Sequence, residues 1–246
     1  MSNSCVITNE EGWYKKALDT DLARPKFAIM NPEITYTLPD YQTQCGCADI
    51  MMHTMERYFV LEDTMEITDK IAQDVMKNVM KYAKILKKDP ENYEARAEIM
   101  WCGSLSHNGL TGCGTCGGDW ATHLMEHELG GMFDVAHGAG LAAVWGSWAR
   151  YVMDEKPERF AQFAVDVMGV EESDDVKSTA LKGIEAVEEF YRMIEMPTNM
   201  KELGINPTDE QIKDMAMKAT NHDTQQLGAF KKLSAKDLVE IYKTAK

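Results

Sequence analysis

The stretch HLMEHELGGMFDVAHGAGLAAVWGSWARYV, residues 123–152, decides the fold of this chain. Its second half, from residue 138, is apolar on nearly all sides, which predicts a helix buried at the centre of a helical domain. Its first half places His123 and His127 four residues apart, so both side chains leave the same face of a helix. His137 follows just beyond a Gly-Gly pair.

Asp49 and His53 repeat the four-residue spacing in the upstream segment ADIMMH. The chain has six histidines, and four of them lie in these two segments. The carboxylate of Asp49 and the imidazoles of His53, His123 and His137 match the ligand preferences of a divalent metal and can leave a position open to a substrate. The sequence therefore predicts a catalytic metal site. The alternative is that His123 and His127 pair with neighbouring glutamates on an exposed face.

The remaining histidines give weaker evidence for a functional site. His107 and His222 have no comparable neighbours in the sequence, and we interpret both as ordinary core or surface residues. HEL at 127–129 lacks the second histidine of the HExxH motif, because position 131 is glycine. Metal-assisted hydrolysis is therefore not favoured.

Four cysteines form two close pairs, Cys45 with Cys47 and Cys113 with Cys116. Together they could hold zinc through four thiolates, but a CxC is an uncommon half-site and the two pairs lie far apart in sequence. The CxxC pair could also carry redox chemistry, because such thiols can have a lowered pKa. Plain buried or partly exposed thiols are the favoured interpretation.

Glycines 112, 114 and 117 in GCGTCG spell the GxGxxG fingerprint of dinucleotide-binding proteins. That fingerprint functions between a strand and a helix within a βαβ unit. Here a helical segment and the polar residues SLSHNGLT precede it. We interpret the glycines as a flexible connection between two helices and not as a cofactor site.

Composition narrows the class of protein. With 246 residues, 44% of them apolar, the chain can bury a sizeable core. A net charge of −14 argues against nucleic acid and anionic membranes as partners, and no apolar run approaches the ~20 residues that span a bilayer. Six cysteines and no secretory signal at the start of the sequence favour a cytoplasmic protein with reduced thiols.

The fold is predicted to be all-α, preceded by two short strands. CVIT (5–8) and FAIM (27–30) are the predicted strands, and two isolated strands cannot make a stable sheet. Ser173 is a predicted cap for the helix expected at 176–193. Thr208 with Gln211 predicts a capping box for the helix expected at 208–220. Apolar periodicity predicts helices that begin at Asp40, at about residue 91 and at Ser234. It also predicts helices over residues 64–86, 119–130, 138–152, 157–167, 176–193 and 208–220.

The segments CADIMMHTMERYF (47–59) and DWATHLMEHELGGMFDVAHGAGLAAVW (119–145) closely resemble the iron-containing alcohol dehydrogenases, in their butanol dehydrogenase branch. The resemblance runs from SNSCVITNEEG near the start of the chain to FKKLSAKDLVEIYKTA near its end. It implies a multi-helix C-terminal domain similar to that of glycerol dehydrogenase and dehydroquinate synthase.

The resemblance also implies a ligand set. In that family the catalytic metal, usually Fe2+ and sometimes Zn2+, is bound by an aspartate and three histidines. Their positions correspond to Asp49, His53, His123 and His137. The resemblance implies that the metal acts as a Lewis acid on the alcohol or aldehyde oxygen while hydride passes between the carbinol carbon and the nicotinamide ring. A histidine at the position of His127 lies beside the metal, near the nicotinamide, and assists a proton relay.

Members of that family begin with a dinucleotide-binding domain, which this sequence lacks. The resemblance therefore divides the chain into residues 1–38, a remnant of the cofactor-binding domain, and residues 39–246, the helical metal-binding domain. It implies an alcohol dehydrogenase or aldehyde reductase that is inactive alone, or active with a separately encoded cofactor-domain chain. The alternative is a metal-binding or assembly module that has lost redox activity. Loss of the domain also exposes apolar surface, which favours a homo-oligomer.

Four further residues complete the expected site. Glu56, one turn after His53, is a candidate for orienting a metal ligand, or else a surface carboxylate. Trp120, Phe133 and Trp145 would suit a medium-chain aldehyde, but core packing explains these three residues as well.

Overall fold

The computed structural model describes residues 2–62 and 66–246. Within these ranges a two-stranded sheet precedes nine α-helices. The strands are β1 (Ser4–Asn9) and β2 (Tyr14–Asp19), and the helices are α1 (Asp40–Tyr58), α2 (Glu66–Leu86), α3 (Tyr93–His107), α4 (Ala121–Phe133), α5 (His137–Val152), α6 (Pro157–Asp166), α7 (Val176–Met193), α8 (Asp209–Ala219) and α9 (Ala235–Ala245). No helix in the described part is both long and apolar enough to cross a bilayer.

The all-α prediction is confirmed, and the helices begin and end close to their predicted bounds. Residues 64 and 65, the predicted start of the second helix, lie outside the described residues. The capping box at Thr208 is present at the start of α8. The prediction of Ser173 as the cap of α7 is wrong, because the side chain of Asp175 accepts the Lys177 N–H there. Ser173 instead donates its hydroxyl to the Asp175 carbonyl at 3.0 Å.

The N-terminal strands form an antiparallel hairpin, in which β1 pairs with β2. The predicted strand at 5–8 is confirmed, whereas β2 was not predicted. The predicted strand at 27–30 is wrong: this segment has no regular structure, and its apolar side chains lie mostly exposed. A strand needs a partner backbone, and FAIM has none among the described residues. Gly12, with φ +85°, is the sequence signal for the turn that pairs β1 with the following residues.

Helix α5 lies at the centre of the hydrophobic core, where it packs against α1, α4, α7 and α9. Its Trp145 and Trp148 are buried. Phe59, which follows α1, stacks on Phe160 of α6 with ring centroids 4.3 Å apart. The prediction of a buried central helix over 138–152 is therefore confirmed, and α5 fixes the positions of the helices around it.

The first turn of α5 crosses the backbone of α1 at very short range. A Cβ atom at Gly138 would collide with the carbonyl oxygen and the Cα atom of Cys45. Glycine is therefore required at position 138 for the two helices to meet. Their close approach brings His137, the first residue of α5, beside Asp49, one turn along α1 from Cys45.

We predict that Gly138→Ala destabilises the protein by about 1–3 kcal/mol, because the added methyl group must push α5 away from α1. Gly46→Ala is the matched control. Gly46 is also helical, yet a Cβ atom added there would meet nothing within 4 Å, so alanine at this position should stabilise by about 0.5–1 kcal/mol. Urea-induced unfolding of both variants measures the difference, and equal effects at the two positions would contradict the close crossing.

Candidate metal centre

Three imidazole nitrogens surround one carboxylate oxygen, Oδ1 of Asp49. The Nε2 atoms of His53, His123 and His137 lie 3.5, 3.6 and 3.5 Å from it. Asp49 and His53 come from α1, His123 comes from α4, and His137 begins α5. The four residues predicted from the sequence as metal ligands therefore meet at one point of the fold.

The arrangement fits a divalent ion better than it fits hydrogen bonds. Separations of 3.5–3.6 Å exceed the normal hydrogen-bond range. Asp49 Oδ1 and His123 Nε2 are buried without a hydrogen-bond partner. Donors that lie about 2.1 Å from a common ion are themselves about 3–3.6 Å apart. One carboxylate oxygen and three imidazole nitrogens are also a donor set that iron and zinc accept.

The charges of the cluster follow from its burial and its close contacts. Burial alone would raise the pKa of Asp49, but the facing imidazoles of His107 and His123 hold that pKa well below its usual range. Burial lowers the pKa of His53 to about 2, so this ring is neutral. Burial also opposes a proton on His123, yet contacts with Asp49 and Glu56 raise its pKa to about 9.

Glu56 is buried and links α1 to the start of α4. Its Oε1 accepts the backbone N–H and the ring Nδ1–H of His123 at 3.1 and 3.0 Å. Its Oε2 accepts the backbone N–H of Trp120 at 2.7 Å. A carboxylate is stabilised at the N-terminus of a helix, and this one also points Nε2 of His123 toward Asp49. Its contacts are those of a residue that orients a ligand, not those of a surface carboxylate.

Glu126 plays the corresponding part for His137 and was not singled out from the sequence. It is fully buried in α4 and accepts a short hydrogen bond from Nδ1 of His137. The same carboxylate is paired with Lys15 of β2 at 3.2 Å. The neighbouring Lys16 reaches the buried Glu128 at 3.4 Å. The sequence indicates a role for Glu126 only in that glutamates flank His127, and this pattern is too common to be specific.

His127 belongs to the site but does not reach Asp49. Its ligand atom clusters with those of Glu126 and His137, and its ring centroid lies 5.7 Å from that of His137. Burial, together with the nearby His137 and Lys15 side chains, lowers the pKa of His127 to about 3. The ring is therefore neutral at pH 7 and can accept a proton only transiently.

His107 lies against the cluster, so its interpretation as an ordinary residue is wrong. It is the last residue of α3, and its Nε2 lies 3.5 Å from Oδ2 of Asp49. Its ring packs on that of His53 with centroids 3.7 Å apart. Local spacing holds no sign of this contact, which arises where the end of α3 packs against α1. His222, by contrast, is exposed.

A cavity of about 490 Å³ opens onto the histidines. The hairpin forms part of its wall, through residues such as Ser4 and Val6. Trp120 lines the cavity. Trp145 is instead buried in the hydrophobic core, and Phe133 packs against that core. Of the three predicted apolar lining residues, only Trp120 therefore faces this space. The other lining residues include Arg57, His53, His107, His123, His127 and His137.

The cysteines do not form a second metal site in the described part of the chain. All six are free thiols, with Cys45 and Cys47 buried and Cys113 and Cys116 exposed. The groups of potential metal ligands among the described residues contain no cysteine. Burial raises the pKa of the Cys47 thiol to about 12. The GCGTCG segment is an irregular connection between α3 and α4, as predicted.

The matching family model is that of the Fe-containing alcohol dehydrogenase family, C-terminal, and it covers residues 43–246. The chain therefore belongs to the iron-containing alcohol dehydrogenase family, as its resemblance to that family implied. The matched region contains Asp49 and the three histidines that converge on it, as well as His107 and His127.

Relatives of the chain include butanol dehydrogenases and an aldehyde reductase. The chain is 34% identical to NADH-dependent butanol dehydrogenase A of Clostridium acetobutylicum, over 99% of this chain and 62% of that protein. It is 31% identical to the NADPH-dependent aldehyde reductase YqhD of Escherichia coli, over 98% of this chain and 61% of that protein. The crystal structure of NADH-dependent butanol dehydrogenase A from Thermotoga maritima matches with a TM-score of 0.93 and 34% identity, over 100% of this chain and 62% of that one. The chain thus spans about three fifths of the length of these relatives.

We predict that Glu56→Gln weakens Zn2+ binding by about 10- to 100-fold, because an amide accepts the His123 Nδ1–H less strongly and no longer fixes that ring. Glu128→Gln is the control, since Glu128 is an equally buried glutamate of the same region that pairs with Lys16 instead of a histidine. Competition with a chromophoric chelator gives both affinities. Equal weakening in the two variants would argue against a specific role for Glu56.

We also predict that Zn2+ binding strengthens as the pH rises from 6 to 8. His123, with its pKa raised to about 9, must lose a proton before its Nε2 can bind an ion. Below that pKa, each pH unit should therefore add about tenfold to the affinity through this residue. Calorimetry in buffers of different ionisation enthalpy should detect the released proton. A pH-independent affinity over this range would contradict the assignment of His123.

Proposed function

We propose that this chain is the metal-binding part of an alcohol dehydrogenase or aldehyde reductase that interconverts a small alcohol and its aldehyde with NAD(P)H. One observation carries the proposal: a buried carboxylate oxygen and three imidazole nitrogens converge beside a cavity without hydrogen bonds among them. Membership of the iron-containing family supports Fe2+ as the ion, with Zn2+ as the alternative. When bound, the ion supplies Lewis-acid chemistry to an alcohol or aldehyde oxygen.

In this proposal Asp49, His53, His123 and His137 hold the ion. Glu56 and Glu126 fix the rings of His123 and His137, since each accepts the N–H on the side away from Asp49. Metal-binding histidines commonly use such a partner to set the ring orientation and the tautomer.

His127 is proposed to relay the hydroxyl proton. Its neutral ring lines the cavity beside His137, so a proton that leaves an alcohol there can pass through the ring toward solvent. In aldehyde reduction the proton travels the opposite way. When bound, the nicotinamide would accept a hydride as NAD(P)+ in alcohol oxidation and donate one as NAD(P)H in aldehyde reduction.

The nicotinamide cofactor is proposed to be held by a separate cofactor-binding unit. Within the described residues the single sheet has two strands, and no βαβ unit is present there. Leu22, Phe27, Ile29 and Ile34 are each more than 70% exposed. Several large apolar side chains left exposed in one short segment favour an interaction surface there. We assign it to the cofactor-binding unit, with contact between two copies of this chain as the alternative.

A cytoplasmic location is proposed on chemical grounds. The six cysteines are free thiols, and free thiols persist in a reducing compartment.

The test combines metal analysis with turnover on anaerobically purified protein. Wild-type chain, the Asp49→Ala/His137→Ala double variant and a His222→Ala control are assayed for NADH-dependent butyraldehyde reduction. Each is tested alone and mixed with the N-terminal cofactor domain of a butanol dehydrogenase. We expect about one Fe or Zn ion per chain in wild type and control, lost in the double variant. We expect turnover only in mixtures with metal-loaded chain.

The other outcomes separate the competing hypotheses. Absence of metal from wild-type protein, even after reconstitution with Fe2+ or Zn2+, would overturn the proposed function. Metal binding without turnover in any mixture would favour the alternative of a metal-binding or assembly module. Turnover by the chain alone would remove the need for a separate cofactor-binding unit.

A further inference from the structure

His107 brings a fourth imidazole to the Asp49 carboxylate, beyond the three of the proposed ligand set. Its Nε2 lies 3.5 Å from Oδ2 of Asp49, the oxygen that the other three histidines leave free. The ring is held in place by its contact with His53, at 3.7 Å between centroids. His107 also lines the cavity, so an ion or substrate in that space can reach it.

The other ring nitrogen of His107 identifies the tautomer. Nδ1 lies 2.9 Å from the carbonyl oxygen of Gly103 and 2.7 Å from Oγ of Ser106. The Ser106 hydroxyl donates to the same carbonyl at 3.0 Å. Because a carbonyl can only accept, Nδ1 carries a hydrogen. Nε2 is then the ring nitrogen left to bind an ion, and it faces Asp49.

The His107 nitrogen and the Asp49 oxygen lie 3.5 Å apart, beyond the normal range of a hydrogen bond. This is the same separation that Asp49 Oδ1 shows to His53 and His137. A cation near the carboxylate can bind both atoms at once. An imidazole whose far N–H is bonded to a backbone carbonyl is also the usual arrangement of a metal-binding histidine.

We propose that His107 is a fifth protein donor to the metal and that it favours ions of five or six coordination over zinc. The inference rests on the proposed function. Asp49 with three histidines suits the four-coordinate geometry of Zn2+. A fifth donor suits Fe2+ or Co2+, which readily accept higher coordination numbers. Five single donors leave the sixth position of an octahedral ion open to a substrate.

The test uses Co2+ as an air-stable substitute for Fe2+. Affinities for Co2+ and Zn2+ are measured by chelator competition on wild type, His107→Ala, His107→Gln and the exposed control His222→Ala. We expect both His107 variants to lose about 10- to 100-fold in Co2+ affinity and much less in Zn2+ affinity. The visible absorption of bound Co2+ should also become stronger, because four-coordinate cobalt absorbs more strongly than five- or six-coordinate cobalt.

Circular dichroism and thermal unfolding of the metal-free variants check that the fold is intact, and His107→Gln keeps a polar side chain of similar length. Unchanged Co2+ affinity and spectrum in folded His107 variants would overturn the proposal while leaving the proposed function standing. Equal losses for Co2+ and Zn2+ would overturn the claim of ion selectivity. Wild-type protein that binds neither ion would overturn the proposed function itself.

Discussion

The close crossing of α1 and α5 is the constraint on which the site depends. Gly138 lets the first turn of α5 lie directly against the backbone at Cys45, and this contact sets His137 beside Asp49. Residues 134–136 are the whole connection from α4 to α5, so α4 and its histidines follow α5 to the same place. A larger residue at position 138 would separate the donors even if every ligand were kept.

Buried carboxylates hydrogen-bond the imidazole rings and so fix their orientation between the packed helices. Glu56 joins α1 to the start of α4 through His123 and two backbone N–H groups. Glu126 joins α4 to α5 through His137. Each carboxylate is satisfied by donors from another element, which makes its burial tolerable. The same bonds leave the opposite ring nitrogens turned toward Asp49, so the requirements of folding and of metal binding coincide.

The N-terminal hairpin belongs to the site although none of its strand residues is fully buried. Lys15 and Lys16 of β2 reach the buried Glu126 and Glu128 of α4, and residues of β1 form part of the cavity wall. A hairpin is marginal by itself, and these ion pairs hold it over the histidines. Lys15 thereby touches the carboxylate that orients His137, which links the hairpin to the geometry at Asp49.

The sequence by itself determined the helical fold, the buried central helix, and Asp49 with the three histidines predicted beside it, because apolar periodicity and i,i+4 spacing are local properties. It also suggested Glu56, which lies one turn from His53. Only the tertiary structure decided the parts played by Glu126, Lys15 and His107, and it removed the strand predicted at 27–30. Those features depend on which elements pack together: α3 must end against α1 for His107 to reach Asp49, and a strand exists only where a second backbone pairs with it. Contacts between distant segments leave no spacing pattern in the chain.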